Sequence, residues 1–478
     1  MKEKHCGPKD LTELLGSRAQ DEELKSLWPL FSLILYRINT VGIQALFADD
    51  GYYPEMETTA LKISSRVMTV PYLLKSVKMK PSGEETFFLE AGFLNSNRYS
   101  GFLEELQKSG HEIISDFTVT DCHLRETKPT EALDIWRTEV KHLPLGQAVA
   151  SRATKLYVQK IYRLFERLQA EGKSVDTAPE SKEIISKLKK NLEADINRVA
   201  AQFKKYGVKR YLSSNIFNLK TLICMEACHR IGAETIWYQH AVGYLWEPAW
   251  CYETCNLTDR VLFWCEKDRV YHEKYARPLV YTGKMDYTTE VAGCPELIYD
   301  TVKKDMEQWQ AKKQVSCFVM AFKTICDSLI NKGSYEEQLE IASQFKTNLF
   351  NQLVKLHEKT GAEILLRYHP HENQDTLARD QEFLKDCPFI HVVDNGRDAL
   401  WRCLYESTAV LGVGSPLFLA ETCGCATYYY DCVPQDKEMF ARQGVNYVDL
   451  EKIANINIPD KKGEIIKENC ADYNLLFN

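Results

Sequence analysis

Residues 409–421 read AVLGVGSPLFLAE, and this stretch decides the fold. Ala409–Val413 is a short apolar run of strand length, and a Gly414-Ser415 turn leads from it into the apolar helical segment Pro416–Cys423. Ser415 is placed to cap that helix and Pro416 to take its first position, where a missing N–H costs nothing. A buried strand that opens through a small-residue turn into a helix is half of a strand–helix–strand unit. Working outward, Arg397–Glu406 carries helical periodicity and Thr427–Asp431 reads as the next strand. Upstream, Val315–Ala321, Glu363–Tyr368 and Phe389–Val393 read as strands, and Gln338–Lys359 as a long helix closed by Gly361. Strands alternating with helices point to a parallel sheet.

The same alternation fills the first part of the chain. Glu85–Gly92 reads as a strand, Tyr99–Ser109 as a helix and His111–Phe117 as a strand. Residues 145–206 are mainly helical. Val208–Ser213, Glu234–Tyr238, Asp259–Trp264 and Leu279–Thr282 follow as strands, with helices at Asn218–Ile231 (ended by Gly232) and Asp268–Tyr275. Leu27–Phe47 fits a buried helix followed by a strand, because Arg37 and Asn39 interrupt its apolar run. Residues 284–312 are polar and show no strand pattern. The expected organisation is α/β in two unequal halves: an N-terminal half over 1–284 with a helical insertion, a linker over 285–312, a second half over 313–450, and a tail over 451–478 packing back on the first.

The chain has 478 residues, of which 45% are hydrophobic and 27% charged, which excludes a wholly disordered protein. A net charge of -7 argues against a general nucleic-acid binder. Met1–Asp10 lacks the apolar core of a secretory signal, so the expectation is a soluble, cytoplasmic protein. The 16 cysteines include Cys224/Cys228, Cys251/Cys255 and Cys423/Cys425, but no CxxC pair exists and most lie in apolar runs. They read as reduced, buried thiols rather than zinc ligands. No metal and no cofactor is expected.

Open parallel sheets bind ligands beyond the carboxyl ends of their strands, so the candidates lie in the loops there. His369, between Tyr368 and Pro370, sits in a stiff turn from which an imidazole can donate to a phosphate oxygen beside Arg367. Gly414 and Ser415 open a helix whose N–H groups and dipole favour an anion, and Glu421 lies about 1.7 turns further on, within reach of a ribose hydroxyl. Lys323, after Val315–Ala321, is a phosphate-facing candidate or a solvated lysine. His240, after Glu234–Tyr238, is a candidate general base or hydroxyl contact, as are Asp116 and Glu90 at the ends of the first strands. Asp286, in TGKMD, reads as mainly structural, at an interdomain hinge.

Four pieces occur in one order: QHAVG at 239–243, TGKMD at 282–286, RYHPHE at 367–372 and GSPLFLAE at 414–421. In these the chain resembles the two-Rossmann (GT-B) glycosyltransferases of bacterial capsule and wall polymers, the set that includes polysialyltransferases, capsule Kdo transferases and CDP-glycerol glycerophosphotransferases. The resemblance covers about residues 205–435. It implies two Rossmann-like domains facing a central cleft, His369 on the donor's phosphate, Ser415 at the helix start on phosphate, Glu421 on the ribose and His240 in the acceptor cleft. The EAGF turn at Glu90 resembles the acidic-Gly-Phe turn in which those enzymes carry their base. Ala241 stands where a glycine is usual, and Gly414-Ser415 where two hydroxyl residues are frequent.

The resemblance implies an inverting, metal-independent glycosyltransferase. Its donor would be a CMP- or CDP-linked sugar, and its acceptor a glycan or lipid-linked glycan, which leaves peripheral membrane association open. Two alternatives stand beside it. One is a sugar-nucleotide enzyme of the UDP-GlcNAc 2-epimerase kind. The other is a non-catalytic nucleotide-binding subunit of a polymer-assembly complex.

Overall fold

The computed structural model describes residues 8–39, 43, 86–89, 108–109, 111–115, 141–142, 149–214, 218–239, 257–276, 286–310, 316–320, 334–368, 372, 374–394, 397–412, 414–430 and 444–473. They form two compact units. Unit 1 holds the described residues up to Glu296 together with Asp472 and Tyr473, and unit 2 holds Leu297–Ala471.

Unit 1 begins with three helices, α1 (Pro8–Leu15), α2 (Glu22–Lys25) and α3 (Trp28–Asn39). The WPLFSLIL run of α3 is apolar almost all round, so the helix is buried, with Phe31 edge-on to Phe165 at 5.3 Å. The strand expected after it lies outside the described residues. Next come β1 (Thr86–Leu89), β2 (Glu112–Ser115), β3 (Lys141–His142), α4 (Arg152–Ala170), α5 (Ser181–Lys205), β4 (Val208–Ser213), α6 (Leu219–Ile231), β5 (Glu234–Tyr238), β6 (Arg260–Phe263), α7 (Glu266–Tyr271) and β7 (Thr288–Val291). The seven strands pair in parallel in the order β3-β2-β1-β4-β5-β6-β7.

Phe88 of β1 packs on Phe203 of α5 at 4.8 Å and stacks on Tyr211 of β4 at 5.5 Å, so the sheet's centre and its covering helix share one core. A buried carboxylate ties α4 to α5: Asp195 accepts from the Ser151 N–H at 2.8 Å and from the Thr154 hydroxyl at 2.5 Å. On the sheet, Arg260 bridges Glu290 of β7, at 3.0 and 3.1 Å, and Glu234 of β5.

Unit 2 comprises α8 (Tyr299–Gln310), β8 (Ser316–Met320), α9 (Tyr335–Thr360), β9 (Glu363–Arg367), α10 (Gln374–Leu384), β10 (Ile390–Val392), α11 (Arg397–Glu406), β11 (Ala409–Gly412), α12 (Ser415–Thr422) and β12 (Ala426–Tyr429). Its sheet is parallel throughout, in the order β10-β9-β8-β11-β12. Ser334 and Glu337 form a reciprocal capping box at the start of α9, which lengthens that helix past its expected beginning at Gln338. The segment after β12 folds back along unit 2. Ile453 and Ile456 are buried in its core, and the chain then fastens to the end of α12 through Gly463 N to Gly424 O (2.7 Å) and Ile466 N to Thr422 O (3.0 Å). Beyond it, the Asp472 N–H donates to Ala292 O and the Tyr473 hydroxyl to Pro295 O.

Both sheets are Rossmann-like: the first strand is central, the next two lie on one side and the rest on the other. The stretch 284–312, expected to hold no strand, contains β7. TTEV is a half-exposed edge strand, and an edge needs no apolar run to announce it. The helix expected over Asp268–Tyr275 begins earlier, at Glu266, and passes into a π turn at His272–Ala276. The strand expected over Leu279–Thr282 and nearly all of the helix expected over Tyr99–Ser109 lie outside the described residues.

Candidate functional site

In a sheet ordered like that of unit 2, the crevice lies where the strand order reverses, beyond the carboxyl ends of β8 and β11. Three residues stand side by side at that edge. Arg367 of β9 is in register with Met320 of β8, and Val319 of β8 pairs with Leu411, one residue before Gly412 of β11. At the usual strand spacing, the Arg367 and Gly412 backbones are about 10 Å apart. A Cβ at Gly412 would press on the Met320 side chain, 3.0 Å from its Cβ and closer still to its Cε, so Met320 would have to move. The edge is built rather than frayed: the buried Tyr430 hydroxyl donates to Met320 O at 2.7 Å, and the Tyr430 N–H to Gly412 O at 3.3 Å.

Gly414 follows with φ 72° and ψ −160°, a backbone region open essentially to glycine alone. It, and not Ser415, takes the N-cap position of α12; Ser415 is the first helical residue, followed by Pro416. The expected serine cap is therefore shifted by one residue, because only the glycine can make this turn. The helix mouth is also poorer in N–H donors than a regular one. Pro416 has none, and the Leu417 N–H is engaged by Gly414 O at 3.0 Å. Ser415 is half-buried. Glu421, also half-buried, stands about 9 Å further along the axis. Behind it the helix is fixed by Leu417, Phe418, Leu419 and Ala420, all buried.

Of the other candidates, His369 and Lys323 in unit 2 and Glu90, Asp116 and His240 in unit 1 lie outside the described residues. Their neighbours are informative. Tyr238 ends β5 and donates its hydroxyl to Gly293 O at 2.9 Å. Gln239, immediately before His240, is buried and fully engaged. Its backbone N–H donates to Leu262 O, its Oε1 accepts from the Trp264 N–H at 2.7 Å, and its Nε2 donates to the buried Asp268 carboxylate at 2.5 Å. Of TGKMDY, Asp286 and Tyr287 are described: Tyr287 is buried and hydrogen-bonded to His272 at 2.9 Å, and Asp286 is exposed.

A second buried polar group includes Tyr368 and Glu372, which bracket residues 369–371 in the sequence. Lys346 of α9 is 0% exposed and donates to Glu372 at 2.8 Å, with Asp380 of α10 at 3.5 Å and the Tyr368 ring at 5.3 Å. The sequence did carry a signal for it. Lys346 falls on the apolar stripe Ala342, Leu349, Phe350, Leu353 of α9, where a solvated lysine does not belong. Gln239 gave no such signal. Among the described residues no group of three or more His, Cys, Asp or Glu side chains is arranged to hold a metal ion. The ten described cysteines are buried, and burial pushes the thiols of Cys317 and Cys423 up to about 12. No helix among the described residues is long and apolar enough to cross a membrane.

No family model and no curated protein matches this chain. Similar solved structures include UDP-GlcNAc 2-epimerase from Neisseria meningitidis bound to UDP-GlcNAc, with TM-score 0.43 and 11% identity over 82% of this chain and 98% of that one. A glycosyltransferase from Rickettsia africae gives 0.38 and 11% over 73% and 80%. MurG of Acinetobacter baumannii gives 0.39 and 8% over 78% and 89%. At these scores the likeness decides nothing about chemistry.

Proposed function

We propose that this chain is an inverting, metal-independent glycosyltransferase that takes a sugar from a nucleotide donor, of the CMP- or CDP-linked class, and passes it to a glycan or polymer acceptor. The observation that carries the reading is the Gly414-Ser415-Pro416 turn standing at the strand-order reversal of unit 2, beside the β9 end that leads into His369. The motif order QHAVG, TGKMD, RYHPHE, GSPLFLAE supports it.

In this reading the donor's phosphate lies against Gly414 and Ser415, with Arg367, His369 and Lys323 supplying positive charge or hydrogen-bond donors. Glu421 accepts from a ribose hydroxyl. The bond from the anomeric carbon to the phosphate oxygen breaks, and its electron pair stays on that oxygen, where fixed donors stabilise the charge. A base from unit 1, with Glu90 preferred over Asp116 and His240, takes the proton of the acceptor hydroxyl as it attacks from the opposite face.

The test is a thermal-shift screen of CMP, CDP, UDP and GDP followed by turnover with the matching nucleotide sugars. Selective stabilisation by a cytidine nucleotide and release of free nucleotide only with acceptor present are expected. Stabilisation by none of the four, or turnover untouched by His369→Ala and Glu421→Ala, overturns the reading. Conversion of UDP-GlcNAc incubated alone would assign an epimerase instead.

A further inference from the structure

The chain is acidic overall, with 67 Asp and Glu against 60 Lys and Arg, but its cations are not spread evenly. Helices α4 and α5 carry 12 Lys and Arg against four Asp and Glu, and one of the four, Asp195, is buried. On α4, Arg152, Leu156, Lys160, Arg163 and Arg167 recur every three or four positions, so they form one stripe along a helix about 28 Å long. Every member of that stripe is exposed. On α5, Lys187, Lys190, Arg198 and Lys205 form a second exposed stripe by the same periodicity. The two stripes meet where Lys187, bonded to Glu183 at 2.9 Å, also faces Tyr157 of α4.

Few of these charges are engaged within the unit. Arg167 pairs with Glu180 and Arg198 with Asp195, but Arg152, Lys160, Arg163, Lys190 and Lys205 have no carboxylate within ion-pair distance among the described residues. Neighbouring cations on one helix face repel each other, so such a face suits a partner of opposite sign. Leu156, 48% exposed, decides which partner. A lone exposed leucine needs no explanation. This one stands within the cationic stripe, with Arg152 and Lys160 one turn away on either side and the half-buried Tyr157 beside it. A nucleic-acid phosphate backbone gives such a residue nothing to bury against. A bilayer of anionic lipid carries charge at its surface and hydrocarbon just beneath, which matches a leucine set among cations.

We propose that the outer face of α4 and α5 is a docking surface for an anionic lipid bilayer, with Leu156 entering the headgroup region and the surrounding Lys and Arg on lipid phosphates. The contact is peripheral, since no helix among the described residues is long and apolar enough to cross a membrane. Both helices are fixed from behind. Phe203 of α5 packs on Phe88 of β1, and Asp195 fastens α4 to α5 through Ser151 and Thr154. The face is therefore formed before it meets a surface, and docking orders little beyond its long side chains. The inference stands apart from the donor reading, because none of these residues belongs to the nucleotide site.

The test is sedimentation of the full chain with vesicles of phosphatidylcholine alone and of phosphatidylcholine with about 30% phosphatidylglycerol. Binding is expected to the anionic vesicles only, and to disappear at about 0.5 M salt, where screening shortens the reach of each charge to a few ångströms. Arg152→Gln/Arg163→Gln/Lys190→Gln is expected to lower the partition coefficient about 100-fold, at about fivefold for each cation, with unchanged melting. Lys359→Gln/Lys452→Gln/Lys461→Gln removes as many exposed cations from unit 2 and is expected to bind like wild type. Leu156→Gln is expected to weaken binding about fivefold without altering its salt dependence. Equal binding to both kinds of vesicle, binding to neither, an equal loss in the unit 2 control, or a Leu156→Gln variant that binds like wild type overturns the proposal. So does tighter retention of single-stranded RNA than of anionic vesicles, which would assign the face to nucleic acid. No nucleotide enters the assay, so its outcome is independent of the donor reading.

Discussion

Replacing Gly414 by alanine tests the donor turn most directly. At φ 72° and ψ −160° an L-residue is strained, at about 1–3 kcal/mol for holding that region. Alanine recovers part of this, about 0.4–1 kcal/mol, by narrowing the unfolded ensemble. A net loss of about 1–2 kcal/mol is expected, or roughly 2–8 °C in the melting of a unit of this size. Rotation of the turn would relieve the strain, and Ser415 and the start of α12 would move with it. One charge-assisted hydrogen bond to phosphate is worth about 1.5–3 kcal/mol, so nucleotide affinity should fall about 10- to 100-fold. Gly424→Ala is the control. It also has positive φ, at 75°, and a Cβ there would strike the Gly463 backbone, so it destabilises the same unit from the far end of α12. Calorimetric titration with CDP, alongside hydrogen exchange of the β11 amides, separates the two. Both variants lose protection, but only Gly414→Ala loses affinity. Equal affinities for the two variants, or an alanine at 414 that costs nothing, would refute the assignment.

Three further outcomes are expected. Glu421→Gln weakens nucleotide binding about tenfold or more, and removing the ribose hydroxyl it accepts from adds little on top; additive losses in that double-mutant cycle would show that the carboxylate does not touch the sugar. Gln239→Leu strands the Trp264 N–H and the buried Asp268 carboxylate, at a cost of about 3 kcal/mol in urea unfolding of unit 1 and with a loss of turnover that Gln239→Glu does not restore; a fully stable, active leucine variant would contradict the anchor. The folded-state pKa of Asp380 is raised, so the native protein binds this proton more tightly than the unfolded chain does, and stability falls as pH rises through the window between the two values. Asp380→Asn, with Lys346, Glu372 and Tyr368 left in place, should lose less stability than wild type as pH rises above the ordinary carboxylate range; parallel curves would count against a desolvated carboxyl.

The elements legible in the sequence are those with local periodicity. β5 and α11 fall on Glu234–Tyr238 and Arg397–Glu406, as the pattern requires, because a continuous apolar run and a four-residue spacing are both contained within the element. The turn at 412–416 was legible as a strand-to-helix junction, but the division of labour between its glycines was not. Gly412 makes room for Met320 and Gly414 makes the bend, and the first depends on a strand 92 positions earlier in the chain. β3 and β7 were illegible for the opposite reason, since a two-residue strand and a polar edge strand have nothing periodic to read. Gln239 was missed because its partners, Asp268 and Trp264, are 29 and 25 residues away and no local spacing encodes them.

In each unit a buried polar group stands at the strand end that precedes a candidate histidine in the sequence. In unit 1 the chain passes from β5 through Gln239, whose amide is locked by Trp264 and Asp268, to His240. In unit 2 it passes from β9 through Tyr368, which shares a buried cluster with Lys346, to His369. Ile236 and Leu366, each fully buried, already seat these strands in their cores without either group. Buried polar anchors become worth their desolvation when the next residue must point in one direction, as a group that meets a phosphate or an acceptor hydroxyl must. The anchors and the histidines should therefore behave as pairs: removing Gln239 and His240 together, or Lys346 and His369 together, should cost no more activity than removing the histidine alone.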